Sequence, residues 1–139
     1  MLKLVFCLRR QAQLSREAFQ RYWLESHAPL VRRHAQAMGL ARYVQLHTGG
    51  DALNAALREG RGGPEPYDGV AELWWPDAET LARAMATPEG RCAGAALLED
   101  ERRFIDLEHS PLFVGTELSV VETAQYAGVA QRSGSPSGA

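Results

Sequence analysis

A chain of 139 residues, 45% hydrophobic and 23% charged, has enough apolar material for one hydrophobic core and too little for two. A formal charge of −2, with Lys3 the only lysine and the arginines scattered, excludes a broad basic field for nucleic acid or anionic lipid. The four histidines (His27, His34, His47, His109) and the two cysteines (Cys7, Cys92) show no metal-ligand spacing, so neither a metal nor another cofactor is expected. Both cysteines read as small buried or half-buried residues of a reducing compartment. The apolar N-terminal run is too short to cross a bilayer and carries no cleavage site, so the expected location is the cytoplasm.

Leu2–Leu8 is apolar on both alternating faces and reads as a strand covered on both sides, closed by Arg9 and Arg10. Those arginines are either an anion anchor or a solvated strand end. Ser15 offers an N-cap and Glu17 suits the first turn of a helix, on which Phe19, Trp23 and His27 share one face. Pro29 lacks an amide hydrogen and must bend or restart that helix, whose second piece, 29–38, stops at Gly39. Residues 40–48 form a second strand, with Tyr43, Gln45 and His47 on one face and Val44 and Leu46 on the other. One or two helical turns over 52–59 and a Gly/Pro loop at 61–66 follow. A third strand at 67–75 ends at Pro76. Asp77 and Thr87 each cap a helix, the second running towards Phe104 with Pro88 at its first position. A last strand is predicted over 111–122. From Thr123 onward periodicity is lost, so 1–122 is the domain and 123–139 a flexible tail.

Strand, helix, strand, strand, helix, strand is the ferredoxin-like βαββαβ plan of the α+β class: a four-stranded antiparallel sheet with helices on one face. Apolar residues on both strand faces would leave the face away from the helices as a large bare patch. A second copy stacked sheet to sheet covers it, so a homodimer is expected.

Four segments carry a resemblance. Phe19-x-x-x-Trp23-x-x-x-His27-Ala28-Pro29-Leu30-Val31, Tyr43-Val44-Gln45-Leu46-His47, Tyr67-Asp68-Gly69-Val70-Ala71-Glu72-Leu73-Trp74 and Asp100-Glu101-x-x-Phe104-Ile105-Asp106 resemble, in order, the EthD family of the dimeric α/β-barrel proteins. The resemblance implies a ferredoxin-like homodimer, a pocket between sheet and helices, and a link to oxidative breakdown of small organic molecules. It fixes fold better than reaction, since related barrels include cyclases, cofactor-free monooxygenases and isomerases.

His27 is the first candidate for chemistry, as a general base or acid on the core-facing stripe beside Trp23; the plainer alternative is a helix-end histidine bonded to a free carbonyl. Tyr43, Gln45 and His47 either line a cavity, with Tyr43 and Gln45 binding a carbonyl and His47 transferring protons, or front solvent at a sheet edge. Asp106 is preferred to Glu101 as the carboxylate orienting a histidine. Trp23, Gln45, Phe104 and Asp100 complete the expected ligand contacts. Glu72 and Glu117 either face a pocket or, preferably, pair with arginine across the dimer seam. The expected function is a cofactor-independent oxidoreductase, isomerase or cyclase acting on a small apolar, oxygen-bearing compound by histidine-assisted proton transfer. The alternative is a non-catalytic dimeric binding or accessory protein for an oxidative pathway. No nucleic-acid or membrane partner is expected.

Overall fold

The computed structural model describes residues 1–133. The chain runs β1 (Leu2–Leu8), α1 (Arg16–Tyr22), a π-helical turn (Trp23–His27), α2 (Ala28–His34), β2 (Arg42–His47), α3 (Asp51–Glu59), β3 (Gly69–Trp75), α4 (Ala78–Ala86), α5 (Pro88–Glu101), a 3₁₀ turn (Leu107–His109), β4 (Leu112–Thr116) and α6 (Ala124–Ser133). The strands form one antiparallel sheet in the order β2-β3-β1-β4, so the expected α+β fold is the observed one.

Local chemistry sets the element ends. Ser15, Asp77 and Thr87 each accept a backbone N–H at the start of α1, α4 and α5. Pro29 cannot donate to the carbonyl four residues back, and the helix admits an extra residue upstream: the Ala28 N–H bonds to the Trp23 carbonyl, five residues away. α2 then stops at His34 rather than near Met38. The chain turns at Gly39 (φ +64°), where a side chain would strike the Thr80 methyl group at 2.9 Å.

The sheet register divides the strand residues cleanly. Leu4, Leu73 and Tyr43 lie abreast on the helix side, as do Phe6, Ala71 and Gln45, then Leu8, Gly69 and His47. Phe6, Leu8 and Ala71 join Phe19, Trp23, Phe104 and Ile105 in the core. Trp23 packs its indole against the backbone at Gly69, where an added Cβ would lie 2.5 Å from the ring. Asp68, next to it, is structural: it accepts from the Arg10 backbone and guanidinium and ties β1 to β3. Arg9 lies over the Tyr67 ring and donates to the Pro66 carbonyl.

Among the described residues no helix packs on the opposite face. Val5, Cys7, Val44 and Val70 are half-buried there, while Leu46 and Phe113 are each 58% exposed. At one end Lys3 bridges Glu72 and Glu117 and, with Arg42, sandwiches the Trp74 ring.

Three expectations need correction. Cys92 is exposed on α5 rather than buried. The last strand is only five residues long, because the β1–β4 ladder ends where Leu2 meets Thr116. Regular structure does resume after Thr123: its hydroxyl and carbonyl take the Tyr126 and Ala127 N–H groups, opening α6 over residues of fair helix propensity. Residues 134–139 of the expected tail lie outside the described residues. Among the described residues no helix is long and apolar enough to cross a membrane.

Candidate functional site

A cavity of about 450 Å³ lies between the helix side of the sheet and the covering helices, within the size range of small-molecule sites. Leu4, Phe6, Leu73, Met85, Leu97 and Ile105 make its walls apolar, and the titratable side chains of His27, Tyr43 and Glu101 reach it.

His27 ends the π-helical turn, 4% exposed, with its Nδ1 2.7 Å from Asp100 Oδ2 on α5. Asp100, 6% exposed, also accepts from the Tyr22 hydroxyl at 2.5 Å and from Arg103 at 3.3 Å. Burial works to raise the Asp100 carboxyl, but the bonds from Tyr22 and His27 and the nearby cations outweigh it and hold it below its ordinary range. Burial pulls His27 below its ordinary 6.5, only partly offset by Asp100. At neutral pH the pair is therefore a carboxylate and a neutral imidazole. The carboxylate accepts a hydrogen bond from Nδ1–H, which leaves Nε2 as the basic nitrogen. A helix-end histidine bonded to a backbone carbonyl is not what forms.

Tyr43, Gln45 and His47 are half-buried on the helix side of the sheet. Tyr43 Oη accepts from Trp23 Nε1 (3.1 Å) and Gln45 Nε2 (2.9 Å), so its own proton is free to donate. Burial keeps that phenol protonated by raising it above its ordinary value. Gln45 Nε2 also donates to the Trp23 carbonyl, a group set in place by the irregular turn. Gln45 Oε1 meets His47 Nε2 at 2.8 Å, and the His47 ring stacks on Trp23 with centroids 4.6 Å apart. These contacts commit Gln45 and His47 to bracing Trp23 and Tyr43. They border a separate open groove of about 550 Å³ along the β2 edge, not the apolar cavity.

Asp106, preferred from the sequence, is brought to neither His27 nor His47. Its carboxylate lies 2.8 Å from His109 Nδ1 on the surface, one turn beyond the end of α5. Asp100 occupies the orienting position instead. Phe104 is fully buried and buttresses the rings of Phe19, Tyr22 and His27 from behind. Glu101 is the residue that sequence reasoning passed over. Its carboxyl lines the cavity, makes no hydrogen bond or ion pair with the described residues, and is pushed up to about 7, first by burial and then by the Asp100 charge. A signal was present: Gly94, Leu97, Leu98, Glu101 and Ile105 share one stripe of helical spacing, so a carboxylate there must face inward.

The EthD domain model matches residues 11–108, from the loop before α1 to the 3₁₀ turn. The chain belongs to the EthD family. Among solved structures, this EthD chain is similar to an EthD family protein of Bacillus halodurans C-125, with 26% identity, a TM-score of 0.56, and 85% of this chain and 99% of that one covered. It is similar also to an EthD-like protein of Ralstonia eutropha JMP134 (18% identity, TM-score 0.52, 89% and 96% covered). A third is SnoaB, a cofactor-independent oxygenase of Streptomyces nogalater (16% identity, TM-score 0.50, 88% and 97% covered). At such identities the last two attest the fold alone. No curated protein matches the chain.

Proposed function

We propose that this EthD protein is a cofactor-independent enzyme for a small, apolar, oxygen-bearing compound, and that it works by proton transfer at His27. The carrying observation is the His27–Asp100 pair on the wall of an otherwise apolar cavity. Asp100 holds the tautomer and positions the ring; Nε2 takes a proton from the ligand; Tyr43, kept protonated by burial, donates a hydrogen bond from its hydroxyl to a ligand oxygen. The SnoaB likeness supports the absence of a cofactor only to the extent that the same fold hosts such chemistry.

The protein works as a homodimer in this reading. Leu46 and Phe113 on the helix-free sheet face, and Leu118, Val120 and Val121 after β4, are bare in the single chain, which supports a second copy covering them.

Native mass spectrometry of freshly purified protein is the means to find a co-purifying small molecule, and turnover of a compound so found tests the role of His27. A His27→Ala protein that folds and turns the compound over at the wild-type rate would refute it. Ligand affinity flat between about pH 5 and 8, where histidine titrates, with no turnover of the bound compound, would favour the accessory-protein reading.

A further inference from the structure

We propose that Glu101 is the proton donor of the cavity, acting with His27 to enolise a neutral, apolar ketone. This rests on reading the cavity as an active site and adds to it a residue and a substrate class. A carboxyl is costly to keep in an apolar chamber without a partner, and Glu101 has none among the described residues. Its neighbour on α5, Asp100, is fully engaged by His27, Tyr22 and Arg103, so the two consecutive carboxyls are sorted into separate tasks. Asp100 orients, while Glu101 is free to act on whatever enters.

The surroundings of Glu101 define the ligand. The π-helical turn presents His27, β2 presents Tyr43, and α5 presents Asp100 beside it; β1 and β3 present only apolar side chains, and α4 adds Leu81 and Met85. No lysine or arginine stands among the described lining residues, so a ligand carboxylate or phosphate would find no counter-charge. A neutral molecule with one carbonyl and an activated C–H bond fits. His27 and Glu101 are also complementary in state: near neutral pH the imidazole is the unprotonated partner and the carboxyl is still substantially protonated.

The step balances without an oxidant. The C–H bond next to the carbonyl breaks and its proton passes to His27 Nε2. The electron pair forms the carbon–carbon double bond, and the carbonyl oxygen takes the Glu101 proton. The products are an enol, an imidazolium and a carboxylate; after exchange with solvent, reversal returns the ketone.

The probe is 2-tetralone, a bicyclic neutral ketone, in deuterated buffer, with loss of its benzylic α-proton signal followed by NMR. Wild type is expected to accelerate exchange over buffer with a bell-shaped pH profile. The acid limb is set by His27 and the alkaline limb by loss of the Glu101 proton. Glu101→Gln is expected to slow exchange on the order of 100-fold, a usual contribution of a general acid, and to abolish the alkaline limb. Glu101→Asp, keeping the acid, is expected to restore part of the rate and the limb. Wild-type exchange no faster than buffer would overturn both this inference and the proton-transfer reading beneath it. Exchange at the wild-type rate in Glu101→Gln, with His27→Gln slow, would overturn the Glu101 role alone. A slow Glu101→Gln protein that keeps the alkaline limb would assign the donor elsewhere and overturn it equally.

Discussion

A carboxyl kept in an apolar cavity should weaken the fold, and its removal by Glu101→Gln measures by how much. The folded-state value is about 7 against an ordinary 4.5. Below pH 4.5 the carboxyl is neutral in both folded and unfolded chains and carries no penalty. Between 4.5 and about 7 the unfolded chain ionises while the folded one retains its proton, so stability falls as pH rises. Above about 7 the loss is complete. The shift of about 2.5 units corresponds to roughly 3 kcal/mol, and access from the cavity makes about 2–3 kcal/mol the sounder expectation. Glutamine keeps the shape and removes the charge. Urea unfolding of the two proteins should therefore differ by under about 1 kcal/mol at pH 5 and by about 2–3 kcal/mol in favour of the variant at pH 8. The same difference at both pH values, or a less stable variant at pH 8, would show that Glu101 is not held in a desolvated chamber. The expected trade of stability for a functional group is the ordinary one at active sites.

Asp100→Asn exchanges charge-assisted bonds from Tyr22 and His27 for weaker ones, at a cost of about 2–3 kcal/mol in urea unfolding; the exposed Arg103 contact adds little. Losing the carboxylate should also lower the His27 pKa further, read from the ring nitrogens by NMR. Gly69→Ala forces a methyl group against the Trp23 indole and the Leu46 carbonyl, at 2.5 and 2.9 Å, and should cost about 1–3 kcal/mol with altered tryptophan fluorescence. Leu46→Arg puts a charge in the middle of the helix-free sheet face; under the proposed homodimer, sedimentation is expected to give a dimer for wild type and a monomer for the variant.

The chain's own pattern determined the elements and their order, because hydrophobic periodicity, caps and breakers act locally. Ser15, Asp77, Thr87 and Pro29 start or interrupt helices where their backbone chemistry requires it. Apolar residues on both faces of the strands likewise foretold a sheet with one side left uncovered by helices. His27 was legible too, since helical spacing alone sets it beside Trp23 on the inner stripe.

Which carboxylate serves His27 was decided only in three dimensions. Asp100, Glu101 and Asp106 lie within seven residues of one another, and a local pattern weighs them nearly alike. The direction of α5 across the sheet sends Asp100 to His27, turns Glu101 into the cavity, and releases Asp106 to the surface after the helix has ended. The same holds for the contacts of Gln45 and His47 with Trp23, which come from the packing of the irregular helical turn against β2. Side-chain type and spacing supply the candidates, but hydrogen-bond partners separated by tens of residues are chosen by how the elements pack.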